Sequence, residues 1–223
     1  MYRCQYCEKE FQRETSLAVH LCEQKRRCQE QNETGVQLGM QAYLRFYEVT
    51  QGSAKLKTFN DFAKSPYYKA FVKFGRYIQA IRAVNPARYI DWVIKQNKKL
   101  DHWCRDSMYT EYLTEYLRIE SVSDALERAI DQSIRWAEET NNPPQDYLRY
   151  GNANAVCYAI TSGRISPWVL YNCESGQKFL SDINEEQIAI IWSIIDADFW
   201  NKKFHDYSAD QEYVKEILRQ AGW

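Results

Sequence analysis

The chain has 223 residues and a formal net charge of -1, and this length allows one sizeable helical core or two modest ones. Its seven cysteines include the close pair Cys4 and Cys7, and no apolar signal stretch lies at the N-terminus. This pattern argues against a secreted disulfide scaffold. The longest apolar run, residues 188–195, is too short to cross a bilayer. We therefore expect an intracellular protein, cytoplasmic or, in a nucleated cell, nuclear, without membrane contact.

The charges are distributed unevenly along the chain. Residues 1–50 are balanced, residues 51–105 carry a net charge of +9, and residues 106–223 carry -10. Such an asymmetry suggests a basic surface for a polyanion beside an acidic unit. Alternatively, the two regions neutralise each other inside one globule.

The first twenty residues predict a small metal-binding module. Cys4 and Cys7 are separated by two residues, so a tight turn can direct both thiolates to one zinc ion. A helix that opens at residue 14 or 15 would then bring His20 to the metal. Phe11 and Leu17 would form a miniature core that depends on the ion for its stability.

The spacing of these residues resembles that of the Cys-Cys-His-His zinc-finger family over residues 2–28. The resemblance implies a ββα fold and a bound zinc ion. It is carried by Tyr2, Cys4, Cys7, Phe11, Leu17 and His20.

The fourth ligand departs from the family pattern. The family places a second histidine four to six residues after the first, but residues 24–26 are glutamine, lysine and arginine. Cys22 and Cys28 are the alternatives, and either one requires the helix to break after His20. We favour Cys22 because it needs only local unwinding, which gives an atypical Cys-Cys-His-Cys site; a water or partner ligand is a third option.

A basic triplet, Lys25, Arg26 and Arg27, follows the predicted metal site. It predicts phosphate contacts with a nucleic acid, and the alternative is a solvated helix face. Residues 29–51 have helical apolar spacing, and residues 50–53 are the best candidate linker.

The basic region predicts two amphipathic helices, over residues 66–84 and from residue 86 to about 100. Their charged outer stripes fit a surface that tracks phosphates, with nearby tyrosines 67, 68, 77 and 89 available for stacking. The alternative is ordinary solvated lysines and core aromatics. The predicted nucleic-acid contacts are Lys69, Lys73, Arg76, Arg88, Lys95 and Lys99.

The acidic half predicts further helices. They run from Ser121 or Ser123 to about residue 139, over residues 152–162, over residues 184–195 and from residue 208 to about residue 220. The helix over 184–195 is apolar on most sides, so we predict that it is a core helix.

The common catalytic signatures are missing from the sequence. It has no glycine-rich phosphate loop, nucleophile elbow or paired histidines on a helix. His102 near Cys104 is better explained as a pair of structural residues, and a solvated turn between helices explains His205 beside Asp206 as well as a catalytic site does. We therefore predict a non-enzymatic protein.

We predict a mostly α fold, in which a ββα-like zinc finger precedes an irregular multi-helix body. The expected divisions are a finger (1–28), a helical stalk with the basic segment (29–105) and an acidic helical domain (106–223). These parts predict an accessory factor in transcription or replication that binds nucleic acid, DNA rather than RNA, and a protein partner through its acidic half.

In general character the chain also resembles proteins of large tailed phages, including helicase-loading accessories, which implies a host cytoplasm. The competing hypothesis is an adaptor whose finger and acidic domain both dock proteins. In that case Lys69, Lys73, Arg88 and Lys95 would pair with carboxylates of the acidic half.

Overall fold

A computed structural model describes residues 1–52 and 57–223 of the chain. These residues form fifteen α-helices and one two-stranded sheet, which confirms the mostly α prediction. The chain divides into two compact units, Met1–Tyr109 (unit 1) and Thr110–Trp223 (unit 2). No helix among the described residues has both the length and the apolarity needed to cross a membrane.

Unit 1 begins with the predicted hairpin and helix. Strands β1 (Tyr2–Arg3) and β2 (Glu10–Phe11) are antiparallel, with Tyr2 opposite Phe11. Helix α1 (Glu14–Ala18) follows, and α2 (Glu23–Gln29) starts after a short break. The order ββα is therefore present, but α1 is short and a second helix replaces its continuation.

The remaining helices of unit 1 surround an aromatic core. Trp103 is fully buried, and its ring lies 5.2 Å from that of Phe74 and 6.0 Å from that of Phe71. A 3-10 turn over Leu100–His102 precedes Trp103. The helices are α3 (Thr34–Gln51), α4 (Phe59–Lys64), α5 (Tyr68–Ala80), α6 (Pro86–Lys95) and α7 (Asp106–Leu117), the last of which continues into unit 2.

Helices α3 and α5 approach each other unusually closely, and three glycines permit this. A methyl group added to Gly75 of α5 would lie 2.0 Å from the carbonyl oxygen of Gly35 and 2.4 Å from the nitrogen of Gly39. Both of these atoms belong to the α3 backbone, so no side-chain rotation could relieve the clash. This crossing fixes α5 against α3.

Two predicted helix ends are corrected by the structure. Helix α5 stops at Ala80 rather than at residue 84, and Arg82 adopts a left-handed conformation (φ 48°). Helix α6 starts at Pro86 as predicted, with Asn85 as its N-cap, but it ends at Lys95. Lys99 therefore lies beyond the helix and does not continue a stripe with Arg88 and Lys95.

The linker predicted over residues 50–53 is only partly described. Helix α3 ends at Gln51, and Gly52 follows with φ 73°. Residue 53 lies outside the described residues.

Unit 2 is built from α8 to α15 around Trp168, Trp200 and Phe204, whose rings are 5.2–6.1 Å apart. Helix α8 is capped by Ser121, one of the two predicted caps, and α10 and α13 are capped by Asn152 and Asn184. The elements are α8 (Val122–Thr140), α9 (Tyr147–Tyr150), α10 (Ala153–Thr161), α11 (Pro167–Leu170), α12 (Glu174–Asp182), α13 (Glu185–Ile195), α14 (Ala197–Asp206) and α15 (Ser208–Gln220).

Asn184 and Gln187 form a capping box at the start of helix α13. Its prediction as a core helix is wrong for one face, because Ile190 is 58% exposed and Trp192 is 61% exposed. Only the face with Ile191 and its neighbours at helical spacing is buried. A continuous apolar run does not reveal which of its sides is covered.

A buried carboxylate ties three segments of unit 2 together. The side chain of Glu120 is fully buried, and it accepts hydrogen bonds from Arg128 at 2.6 Å and from the Ser166 hydroxyl at 2.7 Å. Burial raises the pKa of Glu120, while Arg128 and Ser166 act in the opposite direction. Arg128 also donates to the carbonyl of Gly163, so this network joins the start of α8 to the turn before α11.

Candidate metal centre and the adjoining basic cleft

The turn between β1 and β2 positions the first two thiols. The backbone nitrogen of Cys4 donates to the carbonyl of Lys9 (2.9 Å), and the nitrogen of Glu8 donates to the carbonyl of Cys4 (2.8 Å). Glu8 closes this turn in the left-handed conformation, with φ 62°. The backbone N–H of Cys7 lowers the pKa of the buried Cys4 thiol, and so does that of Tyr6. The turn thus favours the thiolate that a metal requires.

The surroundings of the Cys7 thiol raise its pKa, whereas those of Cys4 lower it. A hydrogen bond from the backbone of Lys9 favours its thiolate, but burial and the neighbouring thiols of Cys22 and Cys4 outweigh it, so the pKa of Cys7 is raised. Closely spaced thiolates repel one another. A cation among them would remove this repulsion.

The break between α1 and α2 brings in the other two ligands. Helix α1 ends at Ala18 with Val19 as its C-cap, and His20 follows outside the helix. Cys22 is the N-cap of α2, and its sulfur accepts a hydrogen bond from the backbone of Lys25 (3.4 Å). The predicted break is therefore confirmed, although it begins just before His20.

The structure brings Cys4, Cys7, His20 and Cys22 into one cluster. Their four candidate ligand atoms all lie within 4.8 Å of one another. Cys4 Sγ is 4.0 Å from Cys22 Sγ, and Cys7 Sγ is 3.2 Å from His20 Nε2. Two sulfurs bound tetrahedrally at about 2.3 Å from zinc lie roughly 3.8 Å apart. Three thiols and an imidazole at these separations can hold one metal ion, as in a zinc-finger-like site.

Cys28, the alternative fourth ligand, is not part of this cluster. It lies within α2, six residues beyond Cys22, and it is half-buried. Burial raises its pKa, and the neighbouring Cys22 adds to this effect. A neutral thiol that packs against its surroundings is the simplest description of Cys28.

The N-terminal module has almost no hydrophobic core of its own. Among residues 1–28, Cys4 is the only buried residue. Phe11 packs against the His20 ring at 4.7 Å, and both Phe11 and Leu17 remain half-buried. A module this small needs a metal or contacts with neighbouring elements to stay folded.

The three residues of the basic triplet have different environments. Lys25 donates to the carbonyl of His20, and Arg26 is exposed, 3.8 Å from Glu30. The Arg27 side chain is only 12% exposed and binds Glu23 at 2.6 Å. It also donates to a backbone carbonyl of α4 (2.6 Å). Arg27 therefore anchors α2 to the helices of unit 1.

Helices α2 and α5 line a common cleft with a volume of about 510 Å³. Five of its charged residues are basic and two are acidic, so the cleft has a positive balance. Salt bridges cross it, from Lys69 to Glu23 (3.4 Å) and from Arg76 to Glu30 (3.8 Å). Its lining residues are Glu23, Arg26, Arg27, Glu30, Tyr68, Lys69, Val72, Lys73 and Arg76.

The other predicted nucleic-acid contacts do not line this cleft. Arg88, Lys95 and Lys99 are exposed on or after α6. Of the four tyrosines predicted as stacking partners, 68 and 89 are buried, 77 is half-buried, and Tyr67 is exposed. Tyr67 is therefore the one ring of the four that presents a surface for stacking.

The two pairs considered for catalysis are His205 with Asp206 and His102 with Cys104. His205 Nδ1 lies 3.3 Å from the carboxylate of Asp206, and both side chains are exposed. Asp196 instead caps α14 and binds Arg118 at 3.0 Å. Burial raises the pKa of the Cys104 thiol, which opposes use of this residue as a nucleophile.

The acidic and aromatic residues that line the cleft were not predicted from the sequence. The separations between Glu23 and Arg27 and between Arg26 and Glu30 are both four residues, so ion pairs along α2 were predictable from spacing. The contact of Tyr68 with Arg27 depends on a distant part of the chain, and no local signal indicates it.

Comparison of the chain with protein-family models, with curated proteins and with solved structures found no match.

Proposed function

We propose that the chain is a non-enzymatic, zinc-stabilised nucleic-acid-binding protein, in which Cys4, Cys7, His20 and Cys22 hold one structural zinc ion. Three thiolates and one imidazole suit zinc in a closed tetrahedral site. Protein ligands would fill all four positions of that site, which would leave no open position for a substrate. The zinc would fix the path of the chain from the hairpin into α2.

The observation that carries the nucleic-acid proposal is the shared basic cleft. Arg26 and Arg27 follow the metal site in sequence, whereas Lys69, Lys73 and Arg76 come from α5, yet all five line one cavity. Clustered basic groups of this kind bind phosphates and release counterions. Arg88, Lys95 and Lys99 would extend the contact, and the exposed Tyr67 would stack on a base.

Within this proposal the biological role is an accessory factor in transcription or replication, with DNA as the favoured ligand. The general likeness to tailed-phage proteins supports a role of this type in a host cytoplasm. A single finger gives little affinity by itself. Contacts from both the finger and α5 would supply the additional affinity.

A second candidate function, docking of a protein partner by unit 2, is favoured by one observation. Helix α13 exposes Ile190 and Trp192 on a unit whose net charge is strongly negative. Exposed tryptophan is common at the centre of protein interfaces. This function is compatible with nucleic-acid binding by unit 1, and alone it would correspond to an adaptor.

A salt-dependent binding assay tests the nucleic-acid proposal. Duplex DNA, single-stranded DNA and RNA of equal length would be titrated at several salt concentrations, with wild type and a Lys69→Ala, Lys73→Ala double variant. Loss of two phosphate contacts should reduce the slope of log affinity against log salt by about 1.4–1.8. An Arg135→Ala, Lys202→Ala variant in unit 2 is a control of equal charge. Failure to bind any of the three ligands at low salt would refute the function.

Metal analysis tests the zinc proposal separately. Native mass spectrometry and elemental analysis should find one zinc ion per chain. Cys7→Ser should lose the ion and expose residues 1–28 to hydrogen exchange, because this segment lacks an apolar core. Cys157→Ser alters a thiol far from the cluster in sequence and should retain zinc.

A further inference from the structure

The wall of the basic cleft contains two buried hydrogen-bond donors that have no partner among residues 1–52 and 57–223. They are the Nε of Arg27 and the hydroxyl of Tyr68, which belongs to a residue only 4% exposed. Buried donors are nearly always satisfied, because an unmade hydrogen bond leaves the cost of desolvation uncompensated. Both donors belong to residues that line the cleft, so an acceptor bound there is a candidate partner for them.

The two donors are held in place by other contacts. The terminal nitrogens of Arg27 bind the Ala63 carbonyl and Glu23, both at 2.6 Å. Its guanidinium carbon lies 4.3 Å above the centre of the Tyr68 ring. This arrangement leaves Nε as the guanidinium nitrogen without an acceptor, and it leaves the Tyr68 ring little freedom to turn.

The electrostatic surroundings place the Tyr68 hydroxyl beside the charged part of the cleft. Burial is the main cause of the raised pKa of Tyr68, followed by Glu30, while Arg27 and Arg76 lower it. These three charged residues all line the cleft. The hydroxyl stays protonated at neutral pH, so it can donate to an incoming anion.

We propose that this cleft is a built site for a single phosphate group of a nucleic acid, bound by Arg27 Nε, the Tyr68 hydroxyl and the Lys73 ammonium. The inference rests on the proposed function and adds the binding site and its ligand. Lys73 lines the cleft and, within the described part of the chain, forms no ion pair with a carboxylate. Glu23 and Glu30 hold the arginines in position. A phosphate offers enough acceptor oxygens for all three donors.

The phosphate group has two possible sources, a strand terminus or an internal phosphodiester. A terminal phosphate carries the larger charge and can enter the cleft end-on. An internal phosphodiester would require the strand to pass through the cleft. Both share the chemistry that the donors recognise, and oligonucleotides with and without a 5′-phosphate distinguish them.

The test uses the whole 223-residue chain after addition of zinc, and the variant Tyr68→Phe, which removes the hydroxyl but keeps the ring beneath Arg27. Binding of a 12-nucleotide oligothymidylate, with and without a 5′-phosphate, would be measured by fluorescence anisotropy. We expect Tyr68→Phe to weaken binding about tenfold, the effect of one hydrogen bond to a charged group. Tyr158→Phe removes the hydroxyl of an exposed ring in unit 2, away from the proposed contacts in sequence, and should change binding less than about twofold.

Thermal unfolding of the ligand-free variant gives a second readout. Because the wild-type hydroxyl has no partner in the part of the chain that the structure describes, Tyr68→Phe should unfold at the same temperature as wild type or higher. A lower unfolding temperature would show that the hydroxyl is already bonded in the free protein, and it would overturn the proposal. Lys73→Gln, at an exposed position, should weaken oligonucleotide binding without altering unfolding.

The possible outcomes separate this proposal from the general function. A tenfold preference for the 5′-phosphorylated strand that Tyr68→Phe abolishes identifies a terminal site, whereas equal loss on both strands identifies an internal phosphodiester. Unchanged binding by Tyr68→Phe, together with weaker binding by the Lys69, Lys73 double variant, would overturn the phosphate site and keep the nucleic-acid function. Tighter binding of a polyglutamate peptide, lost in Tyr68→Phe, would overturn the phosphate assignment in favour of an acidic protein.

Discussion

Replacing Gly75 with alanine should destabilise unit 1, because α5 cannot accept a side chain where it crosses α3. The new methyl carbon would lie 2.0 Å from the carbonyl oxygen of Gly35 and 2.9 Å from the Cα of Gly39. A carbon and a non-bonded oxygen keep about 3.3 Å apart. The helices would therefore have to separate by roughly 1 Å along their most extensive contact.

The magnitude follows from two opposing effects. Overpacking a close-packed site costs about 1–3 kcal/mol. The three atoms nearest to the new methyl group are all backbone atoms, so we use the upper value, about 3 kcal/mol. Alanine is favoured over glycine within a helix by about 1 kcal/mol. The net loss of unfolding free energy is about 2 kcal/mol, which lowers the melting temperature of a unit of this size by about 10 °C.

Circular dichroism melting of the full chain, with hydrogen exchange of the α3 and α5 amides, would measure this loss. Gln79→Ala, at an exposed position on the same helix, is the control and should stay within about 0.5 kcal/mol of wild type. The proposed nucleic-acid binding should also weaken in Gly75→Ala, because α5 carries one wall of the cleft. An unchanged or raised melting temperature would show that α3 and α5 do not approach closely.

Three further outcomes are expected. Cys22→Ser should lose its metal at a chelator concentration at which Cys28→Ser still retains its metal, and native mass spectrometry would measure the bound metal. Equal retention by the two variants would contradict the assignment of Cys22 to the cluster. Glu120→Ala should cost about 3–5 kcal/mol in urea unfolding because Arg128 is left buried and unpaired, whereas an exposed glutamate of α8 should be replaceable at little cost. Burial raises the pKa of Tyr147 to about 12, so its contribution to stability is full below pH 10 and is lost as the pH rises through 12. In Tyr147→Phe, this loss of unfolding free energy at alkaline pH should be absent. If the unfolding free energy of the variant depends on pH as it does in wild type, the prediction is refuted.

The metal cluster was predictable from the sequence because its determinants are local. Cys4, Cys7 and His20 have a spacing that closes one small module, and the glutamine, lysine and arginine at residues 24–26 left Cys22 and Cys28 as candidates. The choice of Cys22 depended on how far a helix must unwind. Several helix starts were equally local, since Asn85 and Asn184 cap their own helices.

The features that the sequence did not reveal depend on distant parts of the chain. Gly35 and Gly75 are unremarkable helix residues until their two helices are packed together. The exposure of Trp192 depends on what covers α13, which no periodicity records. Helix α12 was missed for a local reason, because its N-cap is Cys173 and thiols are not preferred caps.

The dual position of Cys22 has a thermodynamic consequence. Its sulfur belongs to the metal cluster and also accepts the hydrogen bond that starts α2, and α2 supplies Arg26 and Arg27 to the cleft. In the proposed function, an ion at one end of this helix and a phosphate beside it would both favour the same placement of α2. Linkage then requires reciprocity: the factor by which zinc tightens nucleic-acid binding equals the factor by which nucleic acid tightens zinc binding. A higher concentration of nucleic acid would therefore increase the affinity for zinc, and a higher concentration of zinc would increase the affinity for nucleic acid.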